Sequence, residues 1–124
     1  MPPRISASEW EIMNVLWARS PLTAPEVMAA LPPGTEWAQK TVNTFLARLL
    51  EKGAVSATRQ GKANLYRPEL TREDCVASEG ASFLERVFRG AAGDLVLHFC
   101  ERADLTPDEI RELEALLKSK KGRR

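Results

Sequence analysis

Lys40, Thr41, Asn43, Thr44, Ala47 and Arg48 fall on one arc when the stretch EWAQKTVNTFLARLLEKG (36–53) is wound at roughly 100° per residue. Two cations frame short hydroxyl, amide and methyl side chains, and Glu51 is the only carboxylate on that side. A solvated helix face ordinarily mixes Glu with Lys at i,i+4 spacing. The chemistry this set can do is non-covalent. Thr and Asn donate and accept hydrogen bonds at base edges, Ala and Thr methyls fit the thymine methyl, and short side chains let the backbone approach a groove. Lys40 and Arg48 can reach guanine edges or phosphates, and residue type alone does not choose between them. The bland alternative is a solvated face that lacks carboxylates by chance.

Covalent and metal chemistry have less to work with. His98-x-Cys100 offers two ligands where a tetrahedral site needs more, and no C-x-C or C-x-x-C pair is present. Neither Cys75 nor Cys100 has a base in a pattern that would activate a thiolate. Gly90-Ala-Ala-Gly93 lacks the Lys and context of a phosphate-cradling loop. The residues therefore predict no catalytic site, no metal, no cofactor and no small-molecule substrate. Cys100 reads as a buried small hydrophobe and not as an oxidant sensor, and His98 as a core or interface residue.

A chain of 124 residues with 44% apolar and 28% charged residues makes one or two small modules. It holds no apolar run of about 18 residues and no apolar secretion segment near the N-terminus. Two cysteines far apart suit a reducing compartment, so the cytoplasm is expected. The net charge of +1 conceals a division: residues 36–67 carry six cations against two carboxylates, and residues 68–101 three against seven. A concentrated cationic field can hold a polyanion although the whole molecule is nearly neutral.

The elements that position the arc are signalled by capping. Ser6-Ala-Ser-Glu9 is a capping box, with Ile5 placed to staple onto Trp10, and it opens a helix that Pro21 ends. Thr23-Ala-Pro-Glu26 opens a second, short helix through Leu31, stopped by Pro32-Pro33-Gly34. The third runs from about Ala38 to Lys52, with Val42, Phe45, Leu46, Leu49 and Leu50 on its apolar arc and Gly53 as left-handed stop. The period then changes. Val55, Ala57 and Arg59 alternate with polar neighbours, Gly61-Lys62-Ala63-Asn64 carries turn residues, and Leu65-Tyr66-Arg67 returns as a second strand. Helix, helix, helix, hairpin is the order of a winged helix-turn-helix, whose third helix enters the major groove while the hairpin touches the flanking backbone. Arg59 and Lys62 would stand at the hairpin's projecting end. The rival is an interaction module whose winged surface docks an acidic protein.

Beyond residue 70 the pattern is helical throughout. Thr71-Arg-Glu-Asp74 opens a long helix ending near Gly90, with Val76, Phe83, Leu84, Val87 and Phe88 apolar. AAGDLVLHFCERAD is apolar almost all round, as a buried helix is. Thr106-Pro107-Asp108-Glu109 caps a last helix through Ile110, Leu113, Leu116 and Leu117, and KSKKGRR reads as a solvated or disordered tail. Residues 71–124 hold too little core to shield so much apolar surface alone. The expectation is a mainly α chain with a small β-hairpin. A winged-helix domain (1–70) precedes a three-helix dimerisation domain (71–124), which pairs through Phe83, Val87, Leu95, Leu97, Phe99, Leu113 and Leu116. A dimer would read a two-fold pseudo-palindrome.

ISASEWEIMNVLWARSPLTAPEVMAAL, KTVNTFLARLLEKG, LVLHF and DLTPDEIRELEALL together resemble the BlaI/MecI (penicillinase repressor) family, relatives of the copper-responsive CopY proteins, from Ile5 to about Lys118. The resemblance implies a dimeric winged-helix repressor that occupies double-stranded operator DNA, often at beta-lactamase or methicillin-resistance genes. It also implies a membrane metalloprotease sensor as partner, with release by cleavage of the repressor. It puts Lys40, Thr41, Asn43, Thr44 and Arg48 on the DNA-facing helix, Arg59 and Lys62 on the wing, and His98-Phe99 at the place of cleavage, an Asn-Phe bond in better-known members. Members that read penicillinase operators tend to carry Arg at the position of Asn43, and Asn favours adenine where Arg favours guanine.

Overall fold

The structure is a computed structural model that describes residues 2–122. The order is α1 (Ala7–Ala18), α2 (Ala24–Ala29), α3 (Gln39–Glu51), β1 (Val55–Gln60), β2 (Ala63–Pro68), α4 (Arg72–Phe88), α5 (Ala92–Arg102) and α6 (Pro107–Lys121). The chain divides into two compact units, one up to Ala81 and one from Ser82 onward, and the division falls inside α4.

In the first unit both capping boxes form. Ser6 Oγ accepts the Glu9 N–H while Glu9 accepts the Ser6 N–H, and Thr23 and Glu26 do the same at α2. These reciprocal bonds satisfy backbone donors that a helix start would otherwise leave unpaired. α1 packs against α2, α3 and β2. Its Ile12, Met13 and Leu16 join Val27 from α2 and Val42, Leu46 and Leu49 from α3 in a fully buried cluster closed by Ile5, Leu22, Ala54 and Val55. Burying each such large side chain contributes about 1.5–3 kcal/mol, so α3 is held by its i, i+4, i+7 apolar positions and its other face is left outward. Leu50 lies outside this cluster and is exposed, a correction to the five-residue apolar arc, of which it is an edge position.

The hairpin is tighter than expected. Gln60 pairs with Ala63, so only Gly61 and Lys62 form the turn, and Ala63 and Asn64 belong to β2. Gly61 takes φ +62°, the positive φ that a two-residue hairpin turn with glycine first requires. A two-stranded ribbon is marginal alone, and a third segment supports it: the Leu22 N–H donates to the Tyr66 carbonyl (3.1 Å) and the Tyr66 N–H to the Leu22 carbonyl (2.8 Å). α2 stops at Ala29 and not at Leu31, because Pro32 bars the helix and Leu31 turns back onto the core.

In the second unit α5 and α6 contribute no buried residue. The expectation of a buried α5 is therefore corrected for the single chain: Leu97 is 61% exposed and Phe99 50%. Cys100, read as buried, is exposed as well. Thr106 and Glu109 form the third reciprocal box. α6 continues to Lys121 with Gly122 as its cap, so KSKK is helical and not a loose tail, and its basic last turn complements the helix dipole. Arg123 and Arg124 of that predicted tail lie outside the described residues.

Candidate nucleic-acid interface

α3 begins at Gln39 after Ala38, which has no side chain able to cap it, and ends with Gly53 at φ +77°. Lys40, Asn43, Thr44, Ala47 and Arg48 are exposed, and Thr41 is half-buried. The arc predicted from residue type is thus an open surface of one helix. Its polar side chains are already ordered from within. Thr44 Oγ1 donates to the Lys40 carbonyl at 3.0 Å, and Gln39 Nε2 donates to Asn43 Oδ1 at 3.0 Å. The Arg48 guanidinium lies 5.8 Å from the centre of the Phe45 ring, which packs edge-on to Trp37 at 5.1 Å. A cation over an aromatic face is favourable by about 0.5–1 kcal/mol at an exposed site, so Arg48 is steadied without losing its charge.

The projecting end of the hairpin carries Arg59 and Lys62, both exposed. Arg59 Nε donates to the Gly61 carbonyl at 3.2 Å, which curls its stem over the turn. The other cation of the hairpin, Arg67, is half-buried and donates to Thr58 Oγ1 at 3.2 Å.

Not every cation of the basic segment is available. Lys52 Nζ lies 2.5 Å from Glu9 Oε1 and 2.8 Å from the Arg4 carbonyl oxygen. Glu9 is only 2% exposed. Burial pushes its carboxyl up, but hydrogen bonds from Lys52 and from Ser6 outweigh this and hold it below its ordinary value. Lys52 thus joins the end of α3 to the start of α1. Among the described residues the remaining ion pair is Arg111 with Asp108 on α6, so Lys40, Arg48, Arg59 and Lys62 have no carboxylate partner there. Two features escaped sequence reasoning. Glu9 and Lys52 are too far apart in sequence for local pairing rules, whereas Gln39 and Asn43 stand at the i,i+4 spacing of amide pairs and were open to discovery.

Of the predicted pairing residues, Val87, Leu97, Phe99 and Leu116 are exposed, and Phe83, Leu95 and Leu113 half-buried. Val96, Ile110 and Leu117, outside the predicted set, are exposed too. Leu95, Val96, Phe99, Leu105 and Leu113 line an apolar cleft of about 220 Å³ between α5 and α6. His98 is exposed on α5, edge-on to Phe88 at 6.0 Å and to Phe99 at 5.2 Å, so the candidate scission bond lies within a helix. Among the described residues no three His, Cys, Asp or Glu side chains converge as a metal site, and no helix is long and apolar enough to cross a membrane.

The family model described as penicillinase repressor matches residues 5–119. The chain is 35% identical to the penicillinase repressor of Bacillus licheniformis over 98% of its own length and 95% of the relative's. It is 32% identical to the methicillin resistance regulatory protein MecI of Staphylococcus aureus strain N315, over 94% of each chain. Among solved structures it is similar to the monomeric form of Bacillus licheniformis BlaI in complex with the blaP half-operator, with a TM-score of 0.51 and 35% identity, covering 60% of this chain and 90% of that one.

Proposed function

The chain belongs to the penicillinase repressor family, and from that premise we propose that it is a homodimeric transcriptional repressor without enzymatic activity that occupies a pseudo-palindromic operator in the cytoplasm. α3 reads bases through Asn43, Thr44 and neighbouring Thr41, with Ala47 available to a thymine methyl. Lys40 and Arg48 flank that reading surface, and Arg59 and Lys62 bind the adjacent backbone from the wing. The observation that carries this reading is the open face of α3 together with an exposed hairpin end whose cations have no carboxylate partner among the described residues. The relative bound to a half-operator supports the same assignment. The exposed apolar surface of α5 and α6 supports pairing of two copies through Leu95, Leu97, Phe99, Leu113 and Leu116, with Phe83 and Val87 of α4.

A gel-shift salt series tests the proposal. Each phosphate neutralised lowers log K by about 0.9 per decade of salt, so several contacts give a steep fall. A shallow slope would point to an acidic protein partner. Arg48→Ala should cost about 1–3 kcal/mol at a cognate site and relax the preference at one base if Arg48 is bidentate to guanine. A loss equal over all sequences would move Arg48 to the phosphates.

A further inference from the structure

We infer that Gln39, which is not one of the base-reading residues above, is a positioning residue for operator reading: its amide holds Asn43 in one orientation and sharpens the base preference exerted there. This rests on the DNA-reading proposal. Gln39 is the first residue of α3, and its Nε2 donates to Asn43 Oδ1 one turn later at 3.0 Å. An Asn amide turns about a broad, nearly two-fold torsion, and its two ends have opposite hydrogen-bonding sense. Left free, it offers a base either end at similar cost and so tolerates several bases.

Gln39 Nε2 can only donate, so in the observed pair it meets the oxygen end of the Asn43 amide, which accepts. Both Nδ2 hydrogens of Asn43 then stay unengaged, and one of the two Oδ1 lone pairs remains. That is the set adenine requires, an N–H for N7 and a lone pair for the N6 amino group. The hydrogen bond from Gln39 to Oδ1 also polarises the amide and strengthens its N–H donors. Because the pair is ordered before DNA arrives, the cost of fixing Asn43 is not incurred on binding. Thr44 is held in the same upstream sense by the Lys40 carbonyl, so both central polar side chains of the arc are pre-arranged by the preceding turn.

The test is equilibrium binding of the full chain to duplexes carrying each base pair in turn at every half-site position, at fixed salt. Asn43→Ala locates the base pair that Asn43 reads. Gln39→Ala should lower the preference at that same pair by roughly threefold to tenfold, leave the salt slope and the affinity for unrelated duplex unchanged, and add nothing in the double variant with Asn43→Ala. Gln39→Glu accepts but does not donate, so it should turn the Asn43 amide over and change which base is preferred. An unchanged preference in Gln39→Ala, a uniform loss over all duplexes, or an additive double variant overturns the inference. Unmodified protein that binds every duplex alike overturns the DNA-reading proposal with it, whereas a preference that Gln39→Ala retains overturns this inference alone.

Discussion

Glu9 is a buried carboxylate with two duties. It completes the capping box of α1 and receives Lys52 from the end of α3, so its charge ties the reading helix to the helix that backs it. Glu9→Gln separates these duties, since Gln at the third position of a box can still accept from the Ser6 N–H while the ion pair is lost. Removing one partner of a fully buried pair costs about 3–5 kcal/mol; with Lys52 31% exposed, a smaller loss of about 1–2 kcal/mol is expected in urea unfolding at neutral pH. Because the folded carboxyl lies below its ordinary value, its contribution is complete above the unfolded pKa and disappears as pH falls through the folded one. Stability of the unmodified protein should therefore decline on acidification by more than that of Glu9→Gln. Parallel curves would show that the pair contributes nothing.

At the scale of elements, the hairpin is short, exposed at its tip on both faces, and anchored at its base by the Leu22–Tyr66 bridge. If it serves as a second backbone contact, Arg59→Ala with Lys62→Ala should reduce the salt slope by about two per half-site and weaken binding equally across sequences; a changed base preference would place the tip in a groove. Much of this architecture was legible from local signals. The three reciprocal capping boxes, Gly53 and the i, i+4, i+7 apolar positions of α3 act within a turn or two, so residue order exposes them. The open face of α3 was legible for the same reason. What was not legible depends on distant partners. The Leu22 bridge, the exposure of Leu50 and the capture of Lys52 by Glu9 are settled by where α1 and β2 pack. The turn of Gly61 and Lys62 was overestimated because Ala63 and Asn64 are poor strand formers that pairing with Gln60 and Arg59 draws into β2.

For the molecule as a whole, one chain leaves apolar surface of α5 and α6 uncovered. Leu97, Phe99 and Leu116 are each at least half exposed, and in the proposed homodimer a second copy would cover them and also serve binding. One winged unit makes few phosphate contacts and binds weakly at physiological salt, whereas two linked units engage half-sites at high effective concentration. Scission near His98-Phe99 would split the pairing region and abolish that gain. Co-expression with a cognate sensor and inducer should then shorten the chain between Leu97 and Cys100, and an intact chain under derepressing conditions would assign release to another route. The pairing itself is tested by Leu97→Asp. Because Leu97 lies on the surface of the single chain, the substitution should spare the winged unit and its binding to one half-site. Sedimentation at micromolar concentration should change from dimer to monomer, and affinity for the full operator should fall by about 10²–10⁴-fold as the second engagement is lost. A monomeric unmodified protein would remove α5 and α6 from the account of operator binding. A variant that stays dimeric would move the interface to other faces of those helices.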